Sequence, residues 1–589
     1  MVVATGALLV ALQLGLRAWQ LFRSWFYADD YRLLDAATGS SFSLDYVLQP
    51  FDSQFMPFGR AIAWTVARSG HVDWVAAASL TLVVQALASS ACLWMLVTLF
   101  GPRWGALAPL ALYLTSALSM PGVMWWAASL NQLPLQAVLF TAVAVWVHYL
   151  RDPRPGPLAL SLAIVGIEFL AYVKAVLVLG VMAFIVLAYF STGGPRQRVT
   201  EAVRRYWLAA LAAVVAGGAF VAYYLVEVPS VFAQPTVRVA SDLADTMLLT
   251  SFPTGLVGGP WRWDASNPPA AVADPPGALV HVAWVVIALG VVGIALRRRR
   301  SLRAWVLLGA YLAVAYVLLL VSRAPITGGY GGLEYRYISD VAAVSVLCIG
   351  LATMPLTGAV ESSEPRQRPL LLLQPPPLAV VVLTALLCGS GLVSSTQYSN
   401  VWADENPGAD YVHTAIDGLH GQGELDLADQ VVPATVMPPL SAPLNTTSRL
   451  LPLLADNVSF PTSTPTLVVL DDGGMPFRAV VEPTVESLAG DLPGCGWRVR
   501  SPIVSIPLDH RVFDFGWWIQ VDYLASADDV MRVRVGDEEQ EVGVTRGLNT
   551  VFLHVDSSFD AVDVGGLSPG TTVCVDTVTV GQPKPAGPL

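Results

Sequence analysis

The sequence predicts a polytopic α-helical membrane protein of about eleven spans, followed by an exported α/β region and a jelly-roll-like β-sandwich. Three observations predict it. With 54% hydrophobic and 13% charged residues and a mean hydropathy of +0.57, the chain exceeds the apolar content that a water-soluble core of ordinary proportions can hide. Apolar stretches of membrane-spanning length recur through residues 1–394 and then stop. Charge divides at the same place: residues 395–589 carry 9 Lys+Arg against 26 Asp+Glu, and residues 1–394 carry 24 against 18. The two parts therefore face different solvents.

Helices are expected near 2–22, 72–99, 105–120, 133–150, 158–170, 174–190, 207–226, 278–296, 304–322, 337–354 and 378–394. The first holds enough apolar residues for about 31 Å, one hydrocarbon thickness, at roughly 1.5 Å per residue. A cleaved signal peptide is the competing reading of 1–22, but no Ala-x-Ala site follows it. The stretch 158–190 reads either as two short spans around Lys174 or as one tilted helix with an extension. Basic residues cluster in alternate loops, at Arg103, Arg151/Arg154, Arg196 to Arg205, Arg297 to Arg303 and Arg366/Arg368. The positive-inside rule makes those loops cytoplasmic. The loops 23–71, 227–277 and 323–336 and the acidic C-terminal third then lie outside a plasma membrane. In the 227–277 loop, Trp261-Arg262-Trp263 reads as an interfacial anchor.

Residues 395–494 mix a helix-like run, 409–419, with short apolar stretches, the grammar of a small α+β unit. From 495 to 589 short alternating segments separated by Gly, Asp and Pro predict the sandwich. Trp497, Trp517, Trp518 and Tyr523 are available to bind glycan from its surface. Core filling is the favoured reading for Trp517 or Trp518, with one of the adjacent pair expected to face outward. Cys92, Cys348 and Cys388 fall in membrane helices, whereas Cys495 and Cys574 flank the sandwich and can pair in an oxidising exterior. No Cys/His spacing suggests structural zinc.

The residues that point to chemistry begin just past the first helix, in Ala28-Asp29-Asp30-Tyr31, followed by Gln54-Phe55-Met56-Pro57-Phe58-Gly59-Arg60. Capping of a helix starting near Tyr31 is the bland reading of the acids. The arrangement resembles the GT-C superfamily of membrane glycosyltransferases, whose first external loop carries an acidic pair along the bilayer surface. With an exported β-sandwich it also resembles actinobacterial envelope arabinosyl- and mannosyltransferases. Relatives frequently have His-Phe-x-Pro where this chain has Gln54-Phe55-Met56-Pro57, so no metal or acid–base role passes to Gln54.

The resemblance implies an inverting transferase that uses a polyprenyl-phosphate sugar donor and a cell-envelope glycan or glycolipid acceptor, with a divalent cation such as Mg, Mn or Ca as an open question. Asp29 is then the base for the acceptor hydroxyl, and Asp30 orients the acceptor, positions a cation or caps the helix. Lys174, Arg323 and Arg336 are the candidate phosphate-binding cations. For Lys174 a pairing with Glu168 is the alternative, and for Arg336 a salt bridge to Glu334 or Asp340. Tyr31, Gln54, Arg60, Glu334 and Tyr335 complete the expected substrate-binding set. Two other classes are open: a transporter or flippase of lipid-linked saccharide, and a membrane-anchored glycan-binding assembly protein. Nucleic acid is excluded as a partner by the acidic exterior.

Overall fold

In the computed structural model, which describes residues 1–229, 234–266, 268–371 and 376–589, seven helices of the described residues are long and apolar enough to cross a bilayer. Six are Val2–Leu21, Trp74–Phe100, Trp126–Arg151, Pro195–Glu227, Gly277–Arg297 and Leu302–Ser322; the seventh begins at Pro377. A bent pair, Trp104–Leu114 with Ala117–Met124, is apolar enough taken together and turns by 41° at its break. Ser116 becomes extended between them and Pro121 starts the last turn, the kind of local cause a kink needs. Three shorter apolar helices, Pro155–Glu168, Ala175–Tyr189 and Ser339–Thr353, lie on the remaining predicted stretches. The 158–190 region is thus two helices, broken around Lys174. The 227–277 loop is described apart from residues 230–233 and 267.

Burial ranks these helices. In Trp126–Arg151, 78% of the most apolar window is buried, against 6% in Gly277–Arg297. The first is therefore the centre of the bundle and the second its periphery. Both helix ends of Leu302–Ser322 are tied by polar groups. At one end Glu361 accepts from Arg198, Arg300 and Arg303. The other end runs into the loop 323–337.

Met1–Asn406 and Pro407–Leu589 form separate compact units. The second opens with the amphipathic helix Pro407–Leu419, which buries Tyr411, Val412, Ala415 and Leu419. Its main sheet has eleven strands. Following hydrogen bonds across it, the order is Glu538–Val544, Asp529–Val535, Gly547–Gly565, Val504–Ala525, Val573–Pro588, Pro476–Glu486, Leu467–Leu470, Leu425–Leu427 and Val458–Ser459. Two more, Trp497–Val499 and Ser463–Thr464, pair off this path. Only Leu425–Leu427 pairs in parallel with its neighbours. Register shifts between Pro507 and Phe515 bend the longest strand and curl the sheet. Cys495 and Cys574 are joined by a disulfide beside the pairing of Trp497–Val499 with the last strand.

The expectation that Trp517 or Trp518 faces outward is corrected: both are buried, at 4% and 3% exposure. Alternation sends them to opposite faces. Trp517 packs with Ile519, Val533 and Leu553. Trp518 packs with Phe552, Ala428, Leu467, Val469 and Val481. Strands from before residue 495 belong to the same sheet and supply the apolar cover on that second face. Tyr523 is also buried, while Phe513 and Phe515 are the exposed aromatics.

Candidate active site

The first helix stops at Leu21, and Ala28 turns the chain with φ 51°, a conformation that a Cβ disfavours. Helix Asp29–Thr38 starts at once, with both acids in its first turn, where a helix dipole favours negative charge. Because successive helical residues diverge, the two carboxylates go to different places.

Asp30 points inward and is fully buried. It accepts from the backbone N–H of Tyr27 at 2.9 Å and from that of Ala127 at 2.8 Å. Ala127 lies in the first turn of Trp126–Arg151, whose N-cap residue supplies no side-chain cap. Asp30 therefore caps the central helix from the first loop. Asp29 is only partly buried. Its Oδ1 accepts from Arg32 at 3.0 Å, and its Oδ2 has no hydrogen-bond partner among the described residues. Burial, and after it the Asp52 carboxylate, push the Asp29 carboxyl above its ordinary range, against the pull of Arg32 and Arg336.

Asp52 reaches this place on a tight turn. Phe51 and Gln54 exchange two backbone hydrogen bonds of 2.8 Å, and Asp52 and Ser53 between them have φ 45° and 61°, a type I′ geometry. Arg323 holds the turn through the Asp52 carbonyl and carboxylate, and Tyr224 donates to the Ser53 carbonyl at 2.7 Å. Arg336 approaches from the same loop as Arg323. It pairs with Glu334 at 2.5 Å, donates to the Tyr337 hydroxyl at 3.0 Å and lies 4.1 Å over the Trp125 ring. Burial opposes its charge, but Glu334, Tyr337 and Asp29 outweigh burial and raise its pKa. Asp29, Asp52, Glu334, Arg32, Arg323 and Arg336 thus form one network of alternating charge at the end of the bundle where the first helix emerges.

Other expected residues are held by contacts within the protein. Lys174 donates to the Tyr337 carbonyl at 2.7 Å and to Asp340 at 3.0 and 3.2 Å, so its partner is Asp340 rather than Glu168. Arg60 is buried inside the first loop, donating to the Tyr46 carbonyl and to Gln49 Oε1. The Gln54 side chain accepts from Asn131 at 2.8 Å. Tyr335 is buried, sharing a 2.8 Å hydrogen bond with Thr254 and packing on Trp263. Tyr31 is buried against Phe26.

Sequence reasoning missed Asp52, Arg32 and Trp125 as members of the network. The turn residues of Phe51-Asp52-Ser53-Gln54 were the available signal for the first. It also missed Arg17, a guanidinium buried on the first helix that donates to Gln20 at 2.8 Å and has no carboxylate partner among the described residues. Among the described residues no three His, Cys, Asp or Glu side chains converge on a point that could hold a metal. Asp29 and Asp52 are the carboxylates that a cation entering the network would meet, each already facing an arginine.

The fold and this site define a multi-pass membrane protein with a separate β-rich domain and a charged network at one end of its helices. No family model and no curated protein matches the chain. Among solved structures it is similar to the arabinofuranosyltransferase AftD from Mycobacteria, at 12% identity and a TM-score of 0.34, over 98% of this chain and 60% of that one. It is also similar to ArnT from Cupriavidus metallidurans bound to undecaprenyl phosphate, at 12% identity and a TM-score of 0.40, over 73% of this chain and 83% of that one. The chain thus spans about 60% of the length of the arabinofuranosyltransferase.

Proposed function

We propose that the chain is an inverting GT-C-type glycosyltransferase acting at the outer face of the plasma membrane, moving sugar from a polyprenyl-phosphate donor to a cell-envelope glycan or glycolipid. The observation that carries this reading is the placement of Asp29: a partly buried carboxylate of raised pKa, just beyond the first membrane helix, in the field of Arg336. On this reading the bent pair and each short apolar helix count as one crossing, and with an inside N-terminus the network and the β-rich domain are outside. The first-loop resemblance supports the same side. The β-rich domain, read as jelly-roll-like, is then an exported accessory to the membrane domain.

The chemistry follows from the two kinds of group. The acceptor hydroxyl oxygen bonds to the anomeric carbon as the bond from that carbon to the phosphate oxygen breaks. Asp29 takes the hydroxyl proton, and a carboxylate of raised pKa is the better proton acceptor. The polyprenyl phosphate leaves with the electron pair, and its charge is met by Arg336 and Arg323. Nη1 of each arginine has no partner among the described residues, so each can reach a phosphate oxygen while keeping its carboxylate. Asp30 holds the loop to the central helix and does not touch substrate.

The test is transfer from a panel of polyprenyl-phosphate sugars to envelope glycan acceptors, using membranes that carry wild type or Asp29→Asn at equal protein level. Transfer lost in the variant supports the base. Transfer that survives rejects it.

A further inference from the structure

Away from the charged network, residues 39–50 of the first loop and the end of helix Pro195–Glu227 enclose an open groove of about 750 Å³, a size that admits a ligand of a few sugar rings. Ser40, Ser41, Ser43, Asp45, Gln49 and Glu227 line it beside the apolar Leu44, Leu48 and Pro50, and its aromatic members are Tyr46 and Tyr223. Asp45 and Glu227 have no ion-pair partner among the described residues. Gln49 gives its Oε1 to Arg60, which leaves its amide N–H₂ for a ligand. Tyr223 is 38% exposed and rests edge-on against Phe55, 4.9 Å between centroids, so its ring is held in place.

Hydroxyls, an amide and carboxylates supply the donors and acceptors that a polyol needs, and a fixed tyrosine offers an apolar face to sugar C–H groups. Among the described residues no basic side chain lines the groove, and the Arg60 guanidinium beneath it is turned inward and buried. Two uncompensated carboxylates repel anions. A phosphate or a uronate is therefore the wrong ligand.

A hydrogen bond links the groove's helix to the turn that carries Asp52. Tyr224, next to Tyr223, holds the Ser53 carbonyl of the Asp52 turn. Gln49 lies two residues before Phe51, where that turn begins.

We infer that this groove is an extended acceptor subsite, which takes a neutral oligosaccharide and holds its chain while the terminal residue reaches Asp29. The inference rests on the transferase reading, and binding separates the two. The experiment is saturation-transfer NMR on the full chain in nanodiscs, with neutral arabinofuranose and mannose pentasaccharides as probes and uronate-containing pentasaccharides of equal length for comparison. A neutral probe should bind, and uronates should bind at least tenfold more weakly. Tyr223→Ala and the pair Asp45→Asn/Glu227→Gln should weaken the neutral probe at least fivefold, and Ser41→Trp, which fills the groove with an indole and removes only one hydroxyl, should do the same. Asp29→Asn should bind the probe as wild type does. Equal binding by wild type and all groove variants overturns the subsite, as does preference for uronates or an absence of binding by either neutral probe. Loss of transfer without loss of probe binding in Asp29→Asn bears on the base alone.

Discussion

Asp30 accepts a hydrogen bond from the backbone N–H of Ala127 at 2.8 Å, joining the first loop to the start of the central helix. Its neighbour Asp29 faces the network instead, so adjacent residues of one chemical type carry unlike duties. Asp30→Ala leaves the Tyr27 and Ala127 N–H groups without their acceptor, each a buried donor costing about 1–3 kcal/mol. We expect a lower thermal midpoint in detergent and a loss of transfer that tracks the loss of folded protein. Asp30→Asn keeps one acceptor oxygen and should lie between. An Asp30→Ala protein with wild-type stability and no transfer would instead give Asp30 a direct catalytic role.

If Asp29 is the base of the proposed reaction, transfer should be pH-dependent. A general base works deprotonated, and this carboxyl is raised by burial and by Asp52. Transfer should therefore fall, as pH is lowered, at a higher pH than an ordinary aspartate would give. A rate profile read between pH 4 and pH 8 checks this. A flat wild-type profile down to pH 4 contradicts the assignment.

On the same proposal Asp52 should tune that limb. Its carboxylate is 2.8 Å from Arg323 and raises the Asp29 pKa. Asp52→Asn removes that repulsion, so the acid limb should move to lower pH. It also frees Arg323 from a counter-charge, which should tighten binding of a polyprenyl phosphate. A pH profile combined with inhibition by free polyprenyl phosphate reads both effects. An unmoved limb would separate Asp52 from the base.

The helical frame was legible because apolar stretches of fixed length report on the bilayer whatever they pack against. Lys174 was legible as an oddity, but its partner Asp340 comes from a helix far along the chain, and a pairing with nearby Glu168 was the local guess. Arg336 lay open between a phosphate and Glu334, and it pairs with Glu334 while keeping free N–H groups. Alternation alone could not place Trp518, because its cover comes from Ala428, Leu467, Val469 and Val481, which precede the sandwich pattern. Asp52 was hidden because only a turn closed by Phe51 and Gln54 aims it at Arg323.

Glu361 ties the opposite end of the bundle. It accepts from Arg198, Arg300 and Arg303. Burial opposes its charge, but the arginines outweigh burial and lower its pKa from 4.5 to about 2. A depressed carboxylate contributes stability that is full above its unfolded pKa and is lost as pH falls through the folded value. The contribution should therefore disappear between about pH 4.5 and 2. Glu361→Gln should cost about 1–3 kcal/mol at pH 7 and flatten that part of the stability curve. Thermal midpoints of both proteins across this range decide it.

Arg17 poses the reverse problem, a buried cation on the first helix with no carboxylate partner among the described residues. It donates to Gln20 at 2.8 Å and touches the Met120 thioether. Removing a guanidinium from water costs several kcal/mol, and hydrogen bonds to neutral groups offset only part of it. Methionine can cover the Met120 thioether without that cost. Arg17→Met should therefore be neutral or stabilising by about 1–3 kcal/mol, whereas Arg17→Ala should destabilise because it also leaves a cavity. Unfolding midpoints in nanodiscs compare the two. If Arg17→Met loses transfer while keeping its midpoint, the guanidinium serves function rather than packing.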